Sequence, residues 1–391
     1  MQSYRYLMPT EVVFETGGLD RLGALCAGLG KRPLIVTGRH AARATGLLDR
    51  VLKQFPDAAV YDAVEENPTT LNCDAGGEYC RDAGCDFVIA LGGGSAMDAA
   101  KAIAALAPRP VTCTELLDAP SLPEGVLPIV AIPTTAGTGS EVTPYAVLVD
   151  PDRHAKRTLR GHALFPRFAL LDPSITVSLP RDITAATGFD ALSQGMEGFL
   201  SLRATPFGDI LALETCRLVK RCLSQALDRP GNLDARAAML QAAMLSGCVI
   251  AQSGTTLVHG MGYYLTLHCG LAHGLANALL LGPVFVWNAH IAPEKVAALA
   301  GALGFPGPAR PEAAAANISR ALYSLFETAG ISPAAREHGV PESRLGPWAE
   351  DIITDKPRFK NQIGALNTED VYGLFHAAYT AHWLEVGPIP D

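Results

Sequence analysis

The chain predicts two architectures in succession: an α/β half with a helix-covered parallel sheet over residues 1–180, and an all-helical half over residues 181–391. Three observations carry that expectation. At 391 residues the chain exceeds what a single core usually organises, so two domains of roughly 200 residues each are expected. Up to about Pro180, short β-branched runs alternate with helical stretches, the pattern of strands that pair in parallel through crossover helices. Beyond Pro180 the β signal stops, and apolar residues recur at three- and four-residue spacing.

Taken in order, Pro33–Thr37, Ala59–Asp62, Phe87–Leu91, Ile129–Ile132 and Phe168–Leu171 read as strands. Gly46–Lys53, Leu71–Asp82 and Ala96–Leu106 read as the helices between them. In the second half Ile183–Ser201, Phe207–Leu223, Asp234–Ser253, Val258–Leu267 and Ala314–Ala329 read as helices of a bundle. GFPGPARP at Gly304–Pro311 is a loop inside that bundle, since helical pattern resumes on both sides.

Composition narrows the function. Apolar residues at 49% against charged residues at 18% describe a globular chain with a large buried fraction. A formal charge of −8, with no Lys/Arg run longer than two, argues against nucleic acid and anionic membrane as partners. The opening MQSYRYLMPTEVVFE carries no apolar signal-peptide core, and apolar stretches such as Leu275–Trp287 are interrupted by Asn277, Gly282 and Pro283. Nine cysteines, an odd number without CxxC pairing, fit reduced thiols in a cytoplasm.

Five features carry chemistry. GGGSAMDAAK, from Gly92 through Gly93, Gly94, Ser95 and Asp98 to Lys101, follows the strand FVIAL. Three glycines between a strand and a helix let backbone N–H groups approach a diphosphate, and Ser95 can cap the helix or bind the ligand. PTTAGTGSE follows the strand IVAI. There Thr134, Thr135, Thr138 and Ser140 form a hydroxyl lining suited to ribose and phosphate oxygens. The turn Glu66-Asn67-Pro68-Thr69 and the lone Lys156 gain meaning only beside these two. Finally, Asp190 and Gln194 share one face of a helical segment, with His259 and His273 following on later helices. One carboxylate and two imidazoles suit a divalent first-row metal with an open position for an alcohol oxygen.

Together the ENPT turn, GGGSAMDAAK, PTTAGTGSEVT, LLDPSITVSLP, TGFDALSQGMEGFLS and VHGMGYYLTLHCGLAHGLANALLL resemble the iron-containing (group III) alcohol dehydrogenase family across nearly the whole chain. The resemblance implies a Rossmann-like nucleotide-binding domain followed by an all-α metal- and substrate-binding domain, the dehydroquinate synthase-like fold. It further implies a homodimer. Asp190, Gln194, His259 and His273 fall on the family's metal positions, where the family expects His at 194. Gly94, Ser95, Thr134, Thr135, Thr138 and Lys156 fall on cofactor positions, with Asn67 close by and Gly93, Asp98 and Ser140 in the same motifs. Tyr263 stands where many members carry a further His near the substrate, and His268 is a candidate proton relay.

The activity implied is an NAD(P)-dependent, metal-dependent alcohol dehydrogenase acting on a small alcohol or carbonyl compound, with Fe²⁺ or Zn²⁺ as the metal. Gln194 leaves two alternatives open: a metal-free reductase of an oxo acid in the same superfamily, and a catalytically silent NAD(P)-binding dimer. The first strand ends in Gly38-Arg39-His40, without the acidic residue that would accept the ribose 2′-OH and repel a 2′-phosphate. NADP(H) is therefore expected to be accepted and preferred over NAD(H), unless Arg39 and His40 are merely solvated. Arg160 and His162 raise the expectation of an acidic substrate.

Overall fold

The structure is a computed structural model and describes residues 3–354 and 359–385. The chain divides into two compact units, one spanning Leu7–Leu179 and the other beginning at Pro180 and including the residues just before Leu7.

In the first unit the described strands are β1 (Glu11–Phe14), β2 (Pro33–Gly38), β3 (Ala59–Val64), β4 (Phe87–Gly92), β5 (Ile129–Pro133), β6 (Tyr145–Asp150), β7 (Ala155–Arg160) and β8 (Phe168–Leu171). Six of them form a parallel sheet in the order β1-β8-β5-β4-β2-β3. The unbroken apolar runs of β2, β4, β5 and β8 are buried along almost their whole length, because helices cover both faces of a parallel sheet. On one face Leu22, Leu48 and Val51 pack over Ile35, Ile89, Val130, Ile132 and Leu170. On the helix Thr70–Asp82, Cβ atoms at Gly76 and Gly77 would lie 2.4 Å from Ile103 and 2.6 Å from Leu106. Only glycine allows so close an approach to the Ala-rich helix Gly94–Leu106. The strand sequence changes direction between β2 and β4, since β3 is laid on one side of β2 and β4 on the other. In open parallel sheets ligands bind beyond the strand ends at such a switch point.

Three strands are absent from the sequence expectation. β1 is a four-residue edge strand with only partial burial. β6 and β7 form an antiparallel hairpin, and β7 reads AKRTLR, charged and mostly open to solvent, so no hydrophobic run marks it. The hairpin docks on the ENPT turn through Val149 N–H donating to the Pro68 carbonyl at 2.9 Å.

Among its described residues the second unit holds helices and connecting loops and no strand. Arg181–Leu200, Pro206–Asp228 and Leu233–Ser253 pack side by side, the latter two capped by Thr205 and Asn232 accepting from Gly208 N–H and Ala235 N–H. Leu257–Cys269 ends on Gly270 in the left-handed conformation, and His273–Ala289 follows it. Pro293–Ala302, Pro311–Ala329, Leu345–Thr354 and Thr368–Thr380 complete the unit, and three of these four were not expected from the sequence. Leu233–Ser253 is long and apolar enough to cross a bilayer by length and mean composition, although Asp234, Arg236 and Gln241 interrupt it. Most of it is buried inside the helical unit, as a core helix is.

Gly274 sets the spacing that matters most. A Cβ there would lie 1.9 Å from the Ala186 carbonyl oxygen and 3.2 Å from the Asp190 Cβ. Glycine therefore lets the helix His273–Ala289 settle directly onto Arg181–Leu200. Gly274→Ala is expected to destabilise the protein by about 1–3 kcal/mol through forced backbone separation. Gly346→Ala, in the helix Leu345–Thr354 with open space around it, should be neutral or stabilising. Urea midpoints of the two variants check this, and equal midpoints would refute the close-contact account.

Candidate functional site

The α/β unit gathers its motif residues at the carboxyl ends of β4 and β5. Gly92 pairs with Pro133 in register, and Thr134 N–H donates to the Gly92 carbonyl at 2.9 Å, so the two glycine-rich loops leave the sheet side by side. The helix Gly94–Leu106 starts at once, without a side-chain cap on its first N–H groups. Such N–H groups favour an anion. A Cβ at Gly94 would lie 2.6 Å from Thr138 Cγ2, and one at Gly93 would lie 3.2 Å from Thr135 Oγ1. The loops interlock, and Gly93, Gly94, Ser95, Thr134, Thr135 and Thr138 are all half-exposed. Asn67 joins them: its N–H donates to Ser95 Oγ at 3.3 Å, and its Oδ1 accepts from Lys156 Nζ at 2.8 Å. Its φ of 54° is the left-handed conformation that asparagine tolerates better than most residues.

Two expected cofactor residues have a different environment. Asp98 Oδ1 accepts from Ser140 Oγ at 2.7 Å, and Asp98 Oδ2 accepts from Val147 N–H at 2.9 Å. Both residues are thus committed to the protein itself, because a half-buried carboxylate needs donors and the nearest are a hydroxyl and a strand amide. Gly38 ends β2 as expected, while Arg39 forms an exposed ion pair with Glu65 at 3.1 Å. Arg160 lies over the Tyr145 ring and His162 meets Phe165 edge-on; both are exposed.

The helical unit brings Asp190, His259 and His273 together, with one donor atom from each lying within 4.8 Å of the others. His259 Nε2 is 3.6 Å and His273 Nε2 is 3.8 Å from Asp190 Oδ1. A tetrahedral shell with bonds of ~2.0–2.2 Å separates its donors by about 3.3–3.6 Å, so the set fits a divalent ion. The Asn277 amide nitrogen faces all three, 3.1 Å from Asp190 Oδ1, 3.2 Å from His259 Nε2 and 3.3 Å from His273 Nε2. Asn277 Oδ1 is buried without a hydrogen-bond partner. The amide donates to Asp190 Oδ1 and faces both imidazoles, at a point where a cation would be stabilised.

Gln194 is buried beside Asp190 but presents its nitrogen to it. Nε2 donates to Asp190 Oδ2 at 3.2 Å, while Oε1 accepts from Ser246 Oγ at 2.8 Å. The expected fourth donor is therefore turned away and braces Asp190. A primary amide between a hydroxyl and a carboxylate gives its N–H to the carboxylate. His268 is exposed and stacks on Trp348 at 5.7 Å, away from the donor set. Tyr263, half-buried, stacks on His273 at 5.8 Å.

Sequence reading passed over four residues. Glu197, fully buried on the Asp190 helix, accepts from His259 Nδ1, from His259 N–H at 3.2 Å, and from Thr256 N–H and Oγ1 at 2.9 Å. It fixes the ring so that Nε2 faces the donor set, the arrangement that orients metal-binding imidazoles. Its spacing from Asp190, two helical turns, was a legible signal, as was that of Asn277, one turn past His273. Lys101 closes a quoted motif. Ser246 carried no signal. Electrostatics agree with the geometry. Burial disfavours charge on His259, but the Glu197 and Asp190 carboxylates outweigh it and raise its pKa to about 10. Burial likewise pushes the Asp190 carboxyl up, and the hydrogen bond from His259 with the charge of His273 brings it below the usual value. The site draws positive charge.

Residues 9–173 match the iron-containing alcohol dehydrogenase family, and residues 184–379 match the C-terminal part of Fe-containing alcohol dehydrogenases. A 1,3-propanediol dehydrogenase of Klebsiella pneumoniae is 33% identical over 96% of this chain and 100% of its own length. A crystal structure of a 1,3-propanediol oxidoreductase is similar with a TM-score of 0.91 at 31% identity, covering 96% of this chain and all of that one. The sulfoacetaldehyde reductase of Bifidobacterium kashiwanohense, solved in complex with NAD⁺, gives 0.86 at 29% identity over 97% of this chain and 99% of its own. The chain belongs to the iron-containing alcohol dehydrogenase family and is an alcohol oxidoreductase.

Glu141, inside the PTTAGTGSE motif, gives a pH signature. It is buried, and burial raises its pKa from 4.5 to about 7. The folded state therefore holds a proton that the unfolded state releases between those values, so this residue lowers stability as pH rises from 4.5 through 7. Glu141→Gln should stabilise the protein above pH 7 by on the order of 3 kcal/mol, and much less near pH 4.5. Denaturant titrations at the two pH values check this, and a pH-independent difference would contradict it.

Proposed function

We propose that this enzyme interconverts a small alcohol and its aldehyde or ketone, using NAD(P)(H) in the α/β unit and a divalent metal, Fe²⁺ or Zn²⁺, in the helical unit. The observation that carries the metal is the convergence of the Asp190, His259 and His273 donor atoms, with the Asn277 amide facing all three. When bound, such an ion polarises the substrate oxygen, and the nicotinamide exchanges the hydride. The chain's own part is positional. Glu197 holds His259 by Nδ1, Gln194 and Asn277 hold the two oxygens of Asp190, and Tyr263 lies flat against His273. With Gln194 bonded to Ser246, the ion would rest on three protein donors and keep room for substrate.

Metal content per chain, measured by elemental analysis on protein purified without added metal or chelator, tests this first. About one equivalent is expected, lost in Asp190→Ala and His259→Ala, with Gln194→His binding more tightly because imidazole is the better donor. Protein that stays metal-free after adding Fe²⁺ or Zn²⁺ would overturn the metal assignment and favour a metal-free oxo-acid reductase or a silent nucleotide binder.

For the cofactor, the absence of a carboxylate at Gly38 supports NADP(H) acceptance and preference, with the Arg39–Glu65 pair weakening the cationic contribution. A Cβ at Gly38 would be 3.9 Å from the Val64 carbonyl, an ordinary contact, so Gly38→Asp should fold. It is expected to shift kcat/KM toward NAD(H) by roughly tenfold or more. An unchanged ratio of the two cofactors would remove this account.

An acidic substrate finds support in the sulfoacetaldehyde reductase relative and in Arg160. Arg160→Ala with undiminished kcat/KM on acidic aldehydes would exclude that role. A homodimer is read by sedimentation; β1, a sheet edge with Phe14 exposed, is a natural contact.

A further inference from the structure

Lys101 is an almost fully buried lysine on the helix that begins at the GGGS motif. An ammonium group in that environment costs several kcal/mol unless its donors are satisfied. Its Nζ has four acceptors within reach of its three protons: the Ser140 carbonyl at 2.6 Å, Ser140 Oγ at 2.7 Å, Thr143 Oγ1 at 3.0 Å and the Tyr145 carbonyl at 2.9 Å. These acceptors all lie on the segment that follows PTTAGTG. One turn earlier on the same helix, Asp98 accepts from Ser140 Oγ and from Val147 N–H. The polarity is fixed. Ser140 Oγ gives its single proton to Asp98 and so receives one from Lys101. Ser140 N–H in turn donates to Thr138 Oγ1 at 3.3 Å, and the Thr138 methyl rests against Gly94.

We propose that Lys101 and Asp98 are positioning residues that lock the PTTAGTGS loop onto the GGGS helix, and so set the hydroxyl wall of Thr134, Thr135 and Thr138 against the helix N-terminus for the dinucleotide phosphates. This rests on the cofactor reading above. The lock runs from Lys101 and Asp98 through Ser140 to Thr138, and of these only Thr138 needs to touch the ligand. Removing Lys101 alone leaves Asp98, Glu141 and the buried acceptors around Nζ without their cation, so Lys101→Met is expected to lose stability as well. Reading it beside the milder Ser140→Ala, which keeps the cation, separates positioning from folding.

The test measures NAD(P)H dissociation constants by fluorescence, steady-state constants and melting temperature for wild type, Lys101→Met and Ser140→Ala. The expected result is a dissociation constant and cofactor KM raised roughly ten- to hundredfold in Lys101→Met, and less in Ser140→Ala. Metal content and kcat at saturating cofactor should stay within about twofold of wild type, since the chemistry is untouched. Lys101→Met that melts like wild type and binds cofactor equally well overturns the proposal. So does a loss of affinity that follows melting temperature alone and vanishes on cooling. If Lys101→Met does not fold, Ser140→Ala decides: unchanged cofactor KM refutes the lock, and a selective rise supports it. Wild-type protein that binds neither dinucleotide would instead remove the cofactor reading, and the lock's purpose with it.

Discussion

Two buried carboxylates on one helix, Asp190 and Glu197, are the constraint on which the functional half of this molecule depends. They lie two turns apart on the same face, and neither is compatible with a closed helical core unless positive charge or several donors reach it. His259 answers both at once. Its Nδ1 and backbone N–H serve Glu197, while its Nε2 faces Asp190. The remaining demand at Asp190 is met by Asn277 and Gln194 amides, and His273 stands at 3.8 Å. A core that carries this much acceptor character at one point is arranged around a cation, whether a proton or a metal. Helix contacts elsewhere in the unit follow from it, because His273 reaches Asp190 only where Gly274 lets its helix touch the backbone at Ala186.

The α/β unit solves the inverse problem with one buried cation. Lys101 is ringed by carbonyls and hydroxyls drawn from a loop and a hairpin that would otherwise be loosely tied to the sheet. Parallel sheets place their ligand loops at the carboxyl ends of strands, and a loop there is held only by its two ends unless side chains clamp it. Here the clamp reaches up from beneath the helix N-terminus. The half-exposed surface of the motif is left for a ligand, and its buried surface is used for structure.

Much of this was legible in the sequence where chemistry and periodicity coincide. The strands PLIVT, FVIAL and IVAI announced themselves because full burial on both faces demands unbroken apolar runs. Asp190, His259 and His273 were legible because they sit in motifs on helices whose spacing can be counted. The hairpin β6–β7 was not, since AKRTLR buries little and reads as loop. Nor were the partners. Ser246 binds a residue 52 positions away and Glu197 one 62 away, and such pairings arise only from the packing of helices. The orientation of Gln194 belongs to the same class: the residue was visible, but the side its oxygen faces is decided by the acceptor-only carboxylate of Asp190, which takes the amide N–H₂.

That orientation bears on what a glutamine means at this position. An imidazole offers one lone pair and one N–H, so at position 194 it can turn a lone pair to a metal while its N–H serves a neighbour. A glutamine amide has a carbonyl and an N–H₂, and the fold supplies a hydroxyl on one side and a carboxylate on the other. The carboxylate takes the N–H₂, which leaves the carbonyl to the hydroxyl. Presenting the carbonyl to an ion would put the N–H₂ against Ser246 and withdraw a hydrogen bond from Asp190 at the moment Asp190 gains the ion. Two routes are therefore open to the side chain, differing by one rotation of the amide. The one with Asp190 braced keeps the carboxylate directed at His259 and His273. Under the proposed metal reading, the glutamine would exchange a fourth donor for a tighter hold on the first.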